Sequence, residues 1–388
     1  MGEWKEYKLG DITTEIGDGI HGTPNYSEDG EFYFINGNNI SNGKVIIKGD
    51  TKRVNRIEFE KYKKLLSNRT ILLSINGTIG NVGFYNNEKC ILGKSACYFN
   101  LKDNVDKNFV YYTFLTDDFQ SHLLNIATGT TIQNVPLKGL RESIILLPPL
   151  DEQKRIASIL SSLDDKIDLL HRENATLEAM AETLFRQWFI EEAKEDWKEG
   201  KLDDILSVKG GTTPSTKESH FWNGGIAWTS PRDVTTLKGV YLFKTEKTIT
   251  EDGLREISSG LLPKGTLLMS SRAPIGVLAF SEIPVAINQG YIAILDNKGY
   301  AKEFIYLWLK LNMDLVHSYS NGSTFMEISK SAFKSLELQI PSIKEVEGFV
   351  NGIKPIFEKI RNNEKHIQTL IQTRDSLIPK LMSNEIVI

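Results

Sequence analysis

The chain has 388 residues, 40% of them apolar, and a formal net charge of −4. That length suits two or three domains with separate cores, and no apolar run approaches the roughly 18 residues of a membrane span. The polar start MGEWKEYKLG is no secretory signal, and Glu6 stands where myristoylation requires Ser or Thr.

A cytoplasmic location with no membrane contact is therefore the expectation. Two cysteines, Cys90 and Cys97, make neither a disulfide framework nor a zinc-ligand spacing. Lys and Arg balance Asp and Glu at 17 against 17 over residues 1–148, whereas residues 149–195 hold 6 against 11. The acidic excess lies in one stretch, so any basic face on the neutral parts must be local.

Residues 1–147 form the first unit. WKEYKLGDI opens it as a short strand, and Gly- and Asn-rich turns follow through Asn42. Residues 70–74, 82–85 and 97–101 are rich in β-formers. Phe109, Tyr112, Leu115, Phe119 and Leu123 recur at helical spacing, which predicts a single helix over residues 108–127 packed on the sheet. Residues 128–134 make a polar loop, and residues 143–147 a last strand.

Residues 148–195 form a helical region. Pro148 and Pro149 stop what precedes, Asp151 is the expected N-cap, and Glu152 sits in the first turn. Ile156, Leu163, Leu170, Leu177 and Leu184 share one heptad position. Leu160, Ile167, Asn174, Ala181 and Trp188 share the position four residues on. About five such heptads predict a helix of roughly 35–40 residues, about 55 Å long, which needs a partner of equal length.

Residues 196–340 repeat the first unit. WKEGKLDDI at Trp197 restates WKEYKLGDI at an offset of 193, and LLPKGTLLMS at Leu261 restates LLSNRTILLS at Leu65. Residues 304–315 answer the first unit's helix, and Asn321-Gly-Ser-Thr-Phe answers Thr128-Gly-Thr-Thr-Ile. Similarity is clearest at the ends of each unit and weak between, so the halves share a fold and differ in their loops.

Residues 341–388 return to the heptad pattern. One seam is Phe349, Ile356, Asn363, Leu370 and Leu377; the other is Ile353, Ile360, Ile367, Arg374 and Leu381. Antiparallel packing that pairs Ile156 with Leu381 and Trp188 with Phe349 brings Asn174 opposite Asn363, a polar layer that fixes register. The alternative is that both Asn side chains turn to solvent. Pro355 lacks an amide proton and is expected to kink or restart this helix, making it shorter than the first. The fold class is thus α+β: two similar globular domains separated by two long helices packed as an antiparallel coiled coil, with a pseudo-twofold internal repeat.

Catalytic chemistry is hard to find. Gly17, Gly19 and Gly22 form a lone G-x-G-x-x-G, but Pro24 and polar residues follow where a dinucleotide site needs a helix. Gly93-Lys94-Ser95 resembles the end of a phosphate-binding loop with Glu88 in place of its first glycine. The six histidines are scattered, and no metal spacing, Asn-Pro-Pro-aromatic tetrapeptide or G-x-S-x-G occurs. What remains are polar loops suited to base edges and phosphates. In the first unit these hold Ser74, Asn76, Thr78, Lys94, Thr130, Thr131, Gln133 and Asn134. In the second they hold Thr229, Ser230, Arg232, Ser271, Arg272, Asn288, Gln289, Ser323 and Thr324. Any one could be an ordinary turn residue; as a set they occupy matching places.

PPLDEQKRI before the heptads, FWNGGIAWTSPRDV at Phe221, INQGYIAIL at Ile287 and the duplication together resemble the specificity subunit of type I restriction–modification enzymes. The resemblance covers the whole chain. It implies two target-recognition domains that each read half of a split duplex-DNA site, with helices that set the spacing and dock two modification subunits. It also implies that this chain holds no cofactor. S-adenosylmethionine belongs to the modification subunits, which methylate adenine, and ATP and magnesium to the restriction subunits. Two other readings compete: a self-sufficient methyltransferase or nuclease, and a coiled-coil adaptor whose globular ends bind proteins.

Overall fold

The computed structural model describes residues 3–295, 298–322 and 326–386. It divides into two compact units, Met1–Lys166 with Leu370–Ile388, and Ile167–Thr369. Each unit thus combines one globular part with segments of both long helices.

The central helix runs Leu150–Arg186, 37 residues, and ends in a π turn at Gln187–Glu191. Its first residue is Leu150, so Asp151 lies inside the first turn, and the Pro149 carbonyl accepts the Glu152 amide at 2.9 Å. Asp151 is therefore not the cap; its acidic charge instead favours the helix N-terminus from within. The C-terminal helix runs Ile343–Met382 without a break and is the longer, at 40 residues. Pro355 neither shortens nor restarts it. Pro355, Asn351 and Gly352 all face solvent, so water can satisfy the carbonyl that the missing amide leaves unpaired.

Within each unit the two helical segments run in opposite directions. In the first, Ile156 and Leu160 share a core with Ile378 and Leu381, and Arg374 Nη1 donates to Asp164 Oδ1 at 2.6 Å. The Arg374 seam position is thus filled by an ion pair. Asp164 also accepts the Tyr112 hydroxyl at 2.7 Å. In the second unit, Asn363 Nδ2 donates to Asn174 Oδ1 at 2.8 Å and to Glu173 Oε2 at 2.9 Å. Both Asn residues are buried there and do not turn to solvent. Trp188 stacks obliquely on Phe349, 5.8 Å between ring centres. Toward its C-terminus Ala181 stays buried, but the buried edge of the central helix moves from Leu184 and Trp188 to Phe185. A helix of 3.6 residues per turn drifts about 20° per heptad against a strict seven-residue repeat, which accounts for the shift.

The first unit's main sheet is antiparallel, in the order Thr13–Asp18, Ala96–Leu101, Thr70–Ser74, Val82–Phe84. A second sheet pairs Phe32–Ile35 in parallel with Cys90–Leu92 and antiparallel with Arg53–Val54. The second unit repeats both. Val208–Lys209, Tyr291–Ile294, Leu267–Ser270 and Leu278–Ser281 follow the same order, with Tyr241–Leu242 added at the edge. Trp222–Thr229 pairs in parallel with Ala286–Ile287 and antiparallel with Lys247–Ile249. Entry strands Lys5–Lys8 and Lys198–Lys201 pair with exit strands Ile144–Leu147 and Glu337–Ile340.

The helix on each sheet is broken in two. Lys107–Leu115 gives way to Asp117–Ile126 at Thr116, whose hydroxyl accepts the Phe119 amide and caps the second piece. Lys302–Leu311 gives way to Met313–Ser318 at Asn312. The apolar spacing runs through the break and hides it; the cap reveals it. Helix and sheet meet in one core per unit, around Phe99, Phe109 and Phe114 in the first and Phe280, Phe304 and Phe357 in the second.

Two tryptophans tie the globular parts to the helix starts. Trp4 Nε1 donates to Glu152 at 3.2 Å, and 193 residues on Trp197 Nε1 donates to Glu345 at 3.1 Å. Gln153 is buried beside the first, accepting the Asp106 amide at 2.9 Å and donating to the Pro148 carbonyl at 2.8 Å. Glu152 and Gln153 of PPLDEQKRI therefore face the domain that precedes them, whereas Asp151, Lys154 and Arg155 are exposed.

Candidate nucleic-acid interface

Four loops of the first unit meet at one end of its sheets. Asn36 opens a short turn, with its amide bonded to Asn39 Oδ1 at 3.1 Å. Ser95 joins that turn to the next loop, because its hydroxyl accepts the Gly37 amide at 2.9 Å and donates to Asn36 at 3.1 Å. The Ser95 carbonyl accepts the Ile75 amide at 3.0 Å, and the Ile75 carbonyl accepts the Val135 amide at 2.9 Å. Residues 128–134 close on themselves through two reciprocal bonds between Thr128 and Asn134, at 2.9 and 2.8 Å. Gly129 takes a φ of +105° in this loop, a conformation that excludes most side chains.

An open cavity of about 360 Å³ lies among these loops. Its polar lining is Asp18, His21, Asn76, Lys94 and Asn134. His21 Nε2 lies 2.7 Å from Asp18 Oδ2, and Asn76 Nδ2 donates to Asn134 Oδ1 at 3.3 Å. The rim thus offers donors and acceptors side by side, as base edges require.

The second unit builds the same end from different side chains. Ser230 caps its turn through Asp233, amide to Oδ2 at 2.8 Å, as Asn36 does through Asn39. The Gly290 carbonyl accepts the Ser271 amide at 2.8 Å, and the Ser271 carbonyl accepts the Ile328 amide at 3.0 Å. Asn321 and Glu327 exchange reciprocal bonds at 2.9 and 3.0 Å. Tyr291, whose burial holds its hydroxyl well above the ordinary range, donates to the Ser230 carbonyl at 2.6 Å. Where Asn76 meets Asn134, Arg272 Nε meets Glu327 Oε2 at 3.2 Å. Thr213 Oγ1 donates to Gln289 Oε1 at 2.7 Å, which fixes the orientation of that amide.

The sequence-selected residues fall into three groups. Ser74, Thr229 and Ser271 are buried and serve the frame. Ser74 accepts the Asn81 amide at 2.8 Å, and Thr229 bonds to Asp233 and Tyr291. Asn76, Asn134, Ser230 and Asn288 are half-buried, and Asn288 spends Oδ1 on the Gly290 amide at 2.8 Å. Thr78, Lys94, Thr130, Thr131, Gln133, Arg232, Arg272 and Gln289 are exposed on the loops. Ser323 and Thr324 lie outside the described residues.

The frame also identifies positions that sequence reasoning passed over. Asn38, exposed, occupies in the first unit the place of Arg232 in the second, and His21 occupies that of Thr213. The signal was the offset itself, which steps from 193 to 192, 194 or 196 between loops and so hides in a fixed-shift comparison. The central glycine of the G-x-G-x-x-G, Gly19, has a packing reason, whereas Gly22 faces open space. A Cβ at Gly19 would lie 1.9 Å from the Leu92 carbonyl oxygen, and one at Gly211 would lie 1.8 Å from that of Ile287. Backbone passes against backbone at both.

Among the described residues, no group of three or more His, Cys, Asp or Glu is placed to hold a metal ion. No described helix is long and apolar enough to cross a membrane.

Comparison with known proteins gives a consistent result. The family profile described as type I restriction modification DNA specificity domain matches residues 1–179 and 194–372. The type I restriction enzyme MjaIX specificity subunit of Methanocaldococcus jannaschii is 35% identical over 191 residues, 49% of this chain and 44% of that protein. The chain thus spans under half the length of that relative. The HindI specificity subunit of Haemophilus influenzae is 21% identical over 466 aligned positions covering all of both chains. The crystal structure of a type I restriction-modification system S subunit from M. genitalium shares the fold, with a TM-score of 0.57 at 21% identity, covering 98% of this chain and 96% of that one. Two copies of the profile coincide with the two units that share a frame, and the chain belongs to the type I restriction–modification DNA specificity family.

Proposed function

We propose that the chain is the DNA-recognition subunit of a type I restriction–modification complex. Each globular part reads one half of a bipartite duplex site, through loops 36–39, 75–78, 93–95 and 128–134 in the first unit. Their counterparts are residues 230–233, 271–274, 288–290 and 321–327 in the second. The observation that carries this reading is one backbone frame built twice with different exposed side chains on it. A repeated frame with varied tips suits reading two different sequences.

The chemistry of the site is polar and charge-balanced. Arg232 faces Glu246 at 3.8 Å, and Arg272 faces Glu327. Such pairs favour discrimination over strong nonspecific attraction, so tight binding relies on partner subunits for further phosphate contacts. The reading assigns methyl transfer from S-adenosylmethionine to two modification subunits docked on the long helices. It assigns ATP- and magnesium-dependent work to restriction subunits. Family membership weighs against the adaptor alternative.

Single-molecule sequencing of methylated adenines, in cells with and without this gene, tests the proposal. The expected result is one split motif whose methylation disappears with the gene. Persistence of that motif after deletion overturns it.

A further inference from the structure

The clearest difference between the two loop ends lies at a single equivalent bridge. In both units the loop after the third sheet strand is pinned to the closed loop by backbone bonds from Ile75 or Ser271, both buried. The next residue, Asn76 or Arg272, bridges to the loop's last residue, Asn134 or Glu327. The frame is constant there and the side-chain chemistry is not. One bridge is amide to amide at 3.3 Å; the other is guanidinium to carboxylate at 3.2 Å.

The two chemistries present different edges. Glu327 holds Arg272 at Nε, so both terminal nitrogens keep hydrogens to donate. Two parallel donors match the O6 and N7 acceptors of guanine in the major groove. Asn76 gives one amide hydrogen to Asn134 and retains a second hydrogen and Oδ1. One donor beside one acceptor matches N7 and the N6 amino group of adenine. Stability does not explain the Arg272 bridge: its side chain and that of Glu327 are 49% and 44% exposed, and exposed ion pairs contribute little to folding.

We propose that Arg272 and Asn76 are specificity-determining residues at equivalent places, Arg272 selecting guanine in one half-site and Asn76 selecting adenine in the other. The assignment rests on the recognition role proposed above. Glu327 and Asn134 are their positioning residues.

The test uses the full chain assembled with its modification subunits. Duplexes randomised in both half-sites are selected by the complex, and methylated motifs are mapped in cells. With the natural chain, guanine is preferred at one position of one half-site by roughly 10- to 100-fold. Arg272→Gln brings that position close to parity or to adenine and leaves the other half-site unchanged. The paired exchange Asn76→Arg with Asn134→Glu turns an adenine into a guanine in the other half-site only. Glu327→Gln, which frees the guanidinium, weakens the guanine preference without abolishing binding. Where a variant stops methylation in cells, the selection still reports its preferred base. The assignment is overturned if both exchanges leave a chain-dependent motif intact, alter both halves together, or weaken all sequences equally. A motif that persists without the chain overturns the recognition role as well.

Discussion

Asn363 donates its side-chain amide to Asn174 across the two long helices at 2.8 Å, and the Asn174 amide nitrogen itself finds no hydrogen-bond partner among the described residues. The layer is therefore polar, buried and incompletely satisfied. Such layers select one register at a cost in stability. Asn363→Leu alone strands the Asn174 carbonyl too and should destabilise the chain by roughly 1–3 kcal/mol. Changing both to Leu should recover that loss or exceed it, while disulfide trapping between cysteines placed along the seam detects slipped registers. Equal melting behaviour for the single and double variants would contradict a shared layer.

The two tryptophan ties should differ in strength. Glu152 is buried and has Trp4 as its hydrogen-bond donor, whereas Glu345 also accepts the Ser342 amide and hydroxyl and pairs with Lys194. Lys194 and Ser342 hold the Glu345 carboxyl down at about 2. Trp4→Phe is expected to cost about 2–3 kcal/mol and Trp197→Phe about 1 kcal/mol. Denaturant melts of the two variants rank them directly, and the reverse order refutes the argument.

Glu364 makes stability depend on pH. Burial pushes its carboxyl up to about 7, Glu178 and Glu282 push the same way, and the Val240 and Tyr241 amides at 2.9 and 3.0 Å pull back. Arg361 stands nearby, facing Glu282 at 3.5 Å, and Lys310 faces Glu178 at 2.6 Å. A carboxyl raised in the folded state contributes stability that is complete below about pH 4.5 and lost as pH rises through about 7. Roughly 2–3 kcal/mol should disappear between pH 5 and 8. Glu364→Gln should flatten that slope in melts taken across the range; an unchanged slope assigns it to other groups.

Both thiols should be inert in the native chain. Burial, then Glu88, pushes Cys90 up to about 12, and burial raises Cys97 well above the ordinary range. Neither carries appreciable thiolate at pH 8. Iodoacetamide followed by mass spectrometry should label both quickly in denaturant and slowly without it. Rapid labelling of native Cys97 is the result that counts against its burial.

The long helices were legible because a heptad repeat needs only apolar spacing, and the repeat offset of 193 was enough to pair them. Their ends and defects were less so. Pro355 looks disruptive in the sequence, yet its exposed position decides its effect, and exposure depends on the face that packing chooses. The Thr116 break was hidden because its flanking residues keep one apolar stripe on both sides of the cap. For the loops, residue type alone could not separate Ser74 and Thr229, which hold the frame, from Arg232 and Gln289, which project from it. Asn38 was missed because insertions shift its counterpart by one residue.

The ion pair of Asp164 with Arg374 has no counterpart in the other unit. At the repeat offset Asp164 becomes Phe357, Arg374 becomes Ala181 and Asn363 becomes Leu170. If two free copies of the first half associated through their helices in this register, each would set Asp164 against alanine, leaving it without its cation and with only the Tyr112 hydroxyl as partner, and Asn174 against leucine, leaving a buried amide unpaired. Fusion of the halves into one polypeptide and divergence of these layers thus reinforce each other. The chain is committed to pairing unlike helices, and so to carrying two readers that need not be the same.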